Sequence, residues 1–76
     1  MGSDMRTTLR SVNDALAGLG AQARLRKGDG YFYLDSGEAE IWLDKTISTP
    51  TLSSRTVDEW VLEYRRLKEL NRNLLV

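Results

Sequence analysis

The chain has 76 residues, of which 41% are hydrophobic and 29% charged, and its formal net charge is zero. This length allows one small domain with one core, and the balanced charge excludes a global electrostatic attraction to nucleic acid or an anionic membrane. Cysteine and histidine are both absent, which excludes disulfides, thiolate metal sites and histidine-based catalysis.

The first four residues, MGSD, are interpreted as an expression scar at 1–4, outside the domain. The sequence contains no apolar run of the length found in a secretory signal or in a membrane-spanning helix. We therefore expect a cytoplasmic protein that does not associate with a membrane.

An apolar stripe predicts the first helix. Its members recur at spacings of four, three, four and three residues, and they are Met5, Leu9, Val12, Leu16 and Leu19. Gly18 and Gly20 predict that the helix ends near residue 18, because glycine accepts the left-handed backbone of a C-terminal cap.

Two segments of alternating polarity, 21–27 and 31–35, predict a β-hairpin. Its two-residue turn is either Gly28-Asp29, of type II′, or Asp29-Gly30, of type I′. The first turn pairs Leu25 with Phe32 and the second pairs Leu25 with Leu34. Both registers keep the apolar side chains on one face, whereas a loop of three residues would mix the two faces.

The segment AEIWLD, residues 39–44, alternates again and predicts a third strand. Ile41 and Leu43 would face the core, and Trp42 would lie on the opposite face with Glu40 and Asp44. A short fourth strand near Ile47 is left open, because a proline follows it closely and cannot donate to a ladder.

A capping box predicts the start of the second helix. Thr56 and Glu59 have the spacing at which the two side chains satisfy each other's free backbone amides, so the helix should begin at Val57. Its apolar stripe contains Val57, Trp60, Val61, Tyr64 and Leu67. The helix is expected to run to about Leu70, which gives a single domain at 5–70 and leaves 71–76 as a helix overhang or a frayed tail.

Together these elements predict an α+β fold of two layers, in the order helix, antiparallel meander of three or four strands, helix. Both helices are expected to cover the same face of the sheet. The opposite face would then carry arginine and aromatic side chains, which form the candidate binding surface: Arg24, Arg26, Tyr31, Tyr33 and Trp42.

Three interpretations of this surface remain open. Arginines beside exposed aromatic rings are typical of a protein-binding hot spot, and also of a platform on which single-stranded nucleic acid stacks. They can also be ordinary cross-strand pairs that stabilise the sheet. Glu40 and Asp44 on the same predicted face disfavour nucleic acid, because acidic side chains repel phosphate.

Catalysis and ligand binding have little support in the sequence. Four carboxylates, Asp35, Glu38, Glu40 and Asp44, cluster and could bind a hard cation such as Ca²⁺, but their spacing matches no calcium loop. The Gly28–Gly30 segment precedes a strand, whereas a phosphate-binding glycine loop opens a helix. We therefore expect no enzyme activity, no metal and no cofactor.

The order of KGDGYFYLD, the tryptophan at 42 and TVDEWVLEYRRL resembles a set of small uncharacterised proteins from phages and mobile elements. The resemblance covers about residues 7–68 and rests on a G-x-G-Y-F-Y hairpin, a tryptophan strand and a closing helix that begins T-x-x-x-W. This family has no established activity, so the resemblance implies no functional residue. It implies a further tyrosine-bearing strand, in place of which this chain has TISTPT.

The sequence thus leads us to expect a non-catalytic binding or adaptor protein, and the resemblance implies an accessory factor of a phage or mobile element. Its expected partner is an unidentified protein, and a homodimer is also open. The alternative is weak single-stranded nucleic-acid binding through the arginine and aromatic face.

Overall fold

The computed structural model describes residues 7–74. In chain order the elements are α1 (Leu9–Gly18), β1 (Arg24–Lys27), β2 (Phe32–Asp35), a 3-10 helix (Gly37–Ile41), β3 (Thr46–Ile47), a second 3-10 helix (Leu52–Ser54) and α2 (Val57–Leu74). The segment interpreted as an expression scar, Met5 of the first apolar stripe and the last two residues of the chain lie outside the described residues.

The three strands form one antiparallel meander in the order β1-β2-β3, and with the two helices they confirm the α+β class. Both helices and the inner sheet face contribute to one hydrophobic core. The largest fully buried apolar side chains of this core are Val12, Leu16, Phe32, Leu34, Trp60 and Leu67. At its centre the rings of Phe32 and Trp60 meet edge to face, with their centroids 5.2 Å apart.

Helix α1 begins with a capping box that the sequence analysis did not identify. The Ser11 backbone N–H donates to the Thr8 hydroxyl at 3.0 Å, and the Thr8 N–H donates to the Ser11 hydroxyl at 2.9 Å. The helix ends at Gly18, as predicted. Val12 and Leu16 of the predicted stripe are buried, but Leu19 lies beyond the helix and is exposed.

The hairpin uses the second of the two predicted turns. Leu25 pairs with Leu34 and Arg26 pairs with Tyr33, which leaves Asp29 and Gly30 as the loop. The type I′ assignment is wrong, because that turn needs a positive φ at both loop residues and only Gly30 has one, at +85°.

The prediction of a third strand at 39–44 is wrong. Residues Gly37–Ile41 form a 3-10 helix, and the third strand is Thr46–Ile47, at the position where a fourth strand had been left open. The faces are also inverted, because Trp42 is buried while Ile41 and Leu43 are 70% and 69% exposed.

Helix α2 begins at Val57 with the predicted capping box. The Thr56 N–H donates to the Glu59 carboxylate at 2.8 Å, and the Glu59 N–H donates to the Thr56 hydroxyl at 3.2 Å. The helix continues four residues beyond the expected end, to Leu74. Asn71, which had been placed in an overhang or frayed tail, is completely buried.

Candidate binding surface

The outer face of the sheet, away from the helices, carries Arg24, Arg26 and Tyr33, with Tyr31 immediately before β2. We call these four residues the tyrosine face. It remains partly open to solvent, since Tyr31 is 39% exposed and the Arg26 side chain is 54% exposed. Side chains alternate between the two faces of a strand, so the burial of Phe32 on the inner face places Tyr31 and Tyr33 together on the outer one.

The two tyrosines form a pair of neighbouring rings. Their centroids are 6.0 Å apart and their planes are inclined by 40°. The Tyr31 ring also lies against Gly28, so closely that a Cβ atom at Gly28 would collide with it. The Gly28 N–H donates to the Tyr31 carbonyl at 2.8 Å, which holds this end of the hairpin together.

Both arginines of the tyrosine face contact their own chain. The Arg26 Nε lies 3.5 Å from a carboxylate oxygen of Asp35, and Arg24 donates from Nη1 to the Ala23 carbonyl at 3.2 Å. An arginine already paired with a carboxylate offers less charge to a phosphate. The Asp35 contact therefore reduces the positive charge that the tyrosine face presents.

Trp42 does not belong to this surface, which corrects the candidate set. Its side chain is 7% exposed and packs against Tyr64 of α2, with the ring centroids 6.0 Å apart. Strand β2 does not continue towards Trp42, because Ser36 and Gly37 both have positive φ values, 72° and 52°, and a 3-10 helix follows them. Strand alternation therefore stops before Trp42, and its ring is directed into the core.

The acidic residues that cluster in the sequence make separate contacts in the structure. Asp35 pairs with Arg26, while Glu38 accepts hydrogen bonds from the Gln22 N–H at 3.1 Å and from the Tyr64 hydroxyl. Within residues 7–74, no three acidic side chains come close enough to form a candidate metal site.

The contact between Glu38 and Tyr64 changes the acidity of both groups. Partial burial raises the pKa of Glu38, but the hydrogen bonds from Tyr64 and from backbone amides, together with the charge of Lys68, outweigh it and lower the pKa below the usual 4.5. For Tyr64, burial and then the hydrogen bond to Glu38 raise the pKa to about 12. At neutral pH the pair is therefore a carboxylate that accepts a hydrogen bond from a neutral phenol.

The β1 edge of the sheet is capped by a helix side chain. Asn13 of α1 accepts the Leu25 N–H on its Oδ1 at 2.7 Å and donates from Nδ2 to the Leu25 carbonyl at 3.2 Å. These are the outward-pointing backbone groups to which an added strand would bond. A partner that adds a strand to this edge would have to displace Asn13, so the open sheet face is the better candidate surface.

Two asparagines that organise the fold, buried Asn71 and half-buried Asn13, were not predicted from the sequence. Asn71 continues the spacing of Tyr64 and Leu67 on the apolar stripe of α2, so its position did indicate a buried residue. For Asn13 we find no comparable signal in the sequence.

A comparison of the chain with known protein families, curated proteins and solved structures finds no match to any of them. The resemblance to phage and mobile-element proteins therefore stays a prediction. Neither described helix is long and apolar enough to cross a membrane.

Proposed function

We propose that this chain is a non-catalytic binding protein whose protein partner contacts the tyrosine face. The observation that carries the proposal is the adjacent, partly exposed ring pair of Tyr31 and Tyr33 on the outer side of the sheet. Tyrosine has few rotatable bonds and combines an apolar ring with a hydroxyl, so it contributes strongly to protein interfaces.

Two features support a binding role for these rings. Tyr33 stands on a paired strand, between Arg26 on β1 and Thr46 on β3, so its backbone is held on both sides. Tyr31 is positioned by its contact with Gly28. Such a prepositioned surface loses little conformational entropy when a partner binds.

Single-stranded nucleic acid is the weaker candidate for this face. Stacking on tyrosines needs nearby free cations for the phosphates, and Arg26 is already paired with Asp35. A nucleic-acid partner would also give an affinity that falls steeply with added salt, which separates the two candidates experimentally.

The proposal is tested by comparing the proteins captured from a lysate of the encoding organism by wild type and by a Tyr31→Ala/Tyr33→Ala variant. Leu62→Ala is the matched control, because Leu62 is an exposed apolar residue on α2 rather than on the sheet. We expect the control to capture the same partner as wild type, and the double variant to lose it while remaining folded by circular dichroism.

Equal capture by the folded double variant and by wild type would contradict the proposal. In a parallel titration, the wild type should show no specific binding to a labelled single-stranded oligonucleotide. Binding that weakens with salt and with Arg24→Ala would instead support the nucleic-acid candidate.

A further inference from the structure

Exposed apolar side chains concentrate around the C-terminal half of α2. Six large hydrophobic side chains of the described residues are exposed, and four of them are Leu19, Ile41, Leu43 and Leu74. Leu19 faces α2 across a groove, Ile41 precedes the tryptophan that packs on Tyr64, and Leu43 and Leu74 both adjoin Asn71. All four therefore lie in α2 itself or in segments that contact it.

One part of this region is a basic groove, which we define by Leu19, Arg65, Lys68 and Arg72. It has a volume of about 370 Å³, and Tyr64 and Glu69 also line it. None of its three cationic side chains forms a salt bridge with a described residue. The charge of Lys68 acts on Glu38, and its Nζ lies 5.8 Å from the centroid of the Tyr64 ring. The groove therefore combines an exposed leucine with two further cations, Arg65 and Arg72, that form no salt bridge with a described residue.

Beside the groove lies an acidic ridge, which we define as residues 40–44. Exposed Glu40 and Asp44 stand at its two ends, and exposed Ile41 and Leu43 lie between them on either side of buried Trp42. Neither carboxylate forms a salt bridge with a described residue. The Lys45 ammonium contacts the Glu40 carbonyl at 3.5 Å and offsets part of the negative charge.

The ridge is held firmly against α2. Asn71 accepts the backbone N–H groups of Leu43 and Asp44 on its Oδ1, at 2.7 Å and 2.9 Å. The exposed side chains of the ridge therefore project from a fixed backbone.

The ridge and the groove are adjacent on one molecule and complementary in character. Glu38, just before the ridge, bonds to Tyr64 of the groove wall, and the ridge backbone bonds to Asn71, next to Arg72. Two adjacent complementary surfaces can satisfy each other reciprocally around a two-fold axis, where each contact occurs twice. In a dimer of this kind every ridge and every groove is used, so association stops at two copies.

We propose that the protein forms a two-fold symmetric dimer in which the acidic ridge of each copy packs against the basic groove of the other. A second copy fits better than a simple anion, because the ridge supplies apolar side chains for Leu19 as well as carboxylates for the cations. The dimer goes beyond the proposed binding function and leaves the tyrosine face free for a different partner.

Charge reversal tests this arrangement at side chains that are exposed in the single chain. One variant reverses the ridge, Glu40→Arg with Asp44→Arg, and the other reverses the groove, Arg65→Glu with Arg72→Glu. In either variant alone, both copies of the contact bring like charges together. In an equimolar mixture, the ridge variant and the groove variant form a heterodimer in which both contacts are attractive again.

We expect sedimentation equilibrium to show a wild-type dimer that dissociates on dilution between about 1 mM and about 1 µM. Each folded variant alone should have its dimer Kd raised by about tenfold or more, and the mixture should recover dimers. Tyr31→Ala/Tyr33→Ala should dimerise like wild type, so failure of the dimer and failure of the tyrosine face are distinguishable.

Three results would overturn the proposal. The first is a wild type that stays monomeric up to about 1 mM, the weak end of specific association. The second is a dimer that survives both charge reversals. The third is a mixture of the two variants that remains monomeric, because only the ridge-to-groove arrangement predicts recovery.

Discussion

Asn71 binds the backbone of Asp44 on both of its polar groups. Its Oδ1 accepts the Asp44 N–H at 2.9 Å, and its Nδ2 donates to the Asp44 carbonyl at 2.6 Å. The same side chain accepts the Leu43 N–H and donates to the Leu67 carbonyl at 2.7 Å, so a completely buried amide has every contact satisfied within the chain. One side chain of α2 thus fixes the loop that leads into β3.

Replacing this asparagine should therefore destabilise the fold strongly. Asn71→Ala leaves the amides of Leu43 and Asp44 without their acceptor, and we expect the free energy of unfolding to fall by about 3 kcal/mol. Asn73→Ala is the matched control, because Asn73 is an exposed asparagine in the same helix and should change stability by less than about 0.5 kcal/mol. Urea denaturation measures both, and equal effects would show that Asn71 does not hold the loop.

Because Trp42 is buried and Leu43 is exposed, we expect very different losses of stability when these two neighbouring residues are replaced. Trp42→Ala removes a buried ring that packs on Tyr64 and should cost about 3 to 5 kcal/mol. Leu43→Ala removes an exposed side chain and should cost less than about 0.5 kcal/mol at concentrations where the protein is monomeric. If the ridge were instead a strand with Leu43 inside, the urea midpoints of the two variants would change in the reverse order.

Much of the fold could be predicted from the sequence because its signals are local. The capping box at Thr56 and Glu59 set the start of α2, and alternation around Gly28 reduced the hairpin to two registers, one of which is observed. Burial of Trp60 followed from the helical stripe and is confirmed. Each of these features depends on residues a few positions apart.

The ridge could not be predicted in this way, because its conformation depends on distant contacts. Alternation at 39–44 is typical of a strand, yet Asn71 binds this segment from 27 and 28 positions away in the sequence. Trp42 is buried because Tyr64 provides a ring to pack against, and no local pattern contains that information. Of the candidate surface, the sequence located the two tyrosines and two arginines but wrongly included Trp42.

The contact between Tyr64 and Glu38 should give stability a characteristic pH dependence. The pKa of Glu38 is lowered by folding, so its contribution is present at neutral pH and is lost as the pH falls below 4.5. The pKa of Tyr64 rises to about 12, so its contribution is lost as the pH rises from 10 towards 12.

Tyr64→Phe removes the hydrogen bond and isolates this effect. At pH 7 it should cost about 2 kcal/mol, because the bond joins a phenol to a charged carboxylate. The difference from wild type should shrink below pH 4.5 and above pH 10, as followed by thermal unfolding across the pH range. Tyr33→Phe is the control, and a difference that stays constant with pH for Tyr64→Phe would contradict the assignment.

Gly28 should be needed for the position of the Tyr31 ring rather than for folding. In Gly28→Ala the new methyl group collides with the ring, which is at the surface and can move away, so we expect a loss of stability below about 1 kcal/mol. The Tyr31 ring resonances should shift in an NMR spectrum and capture of the partner should weaken. Gly18→Ala is the control, since its methyl group meets nothing within 4 Å. It should leave the Tyr31 ring resonances and the capture of the partner unchanged.

The central claim is that the open sheet face presents Tyr31 and Tyr33, while Trp42 belongs to the core. Paramagnetic relaxation by a soluble gadolinium chelate, measured on the ring protons by NMR, tests it most directly because it reports the solvent exposure of each ring. We expect strong relaxation of Tyr31, intermediate relaxation of half-buried Tyr33 and little of Trp42. Protected tyrosine rings together with a strongly relaxed Trp42 ring would contradict this account.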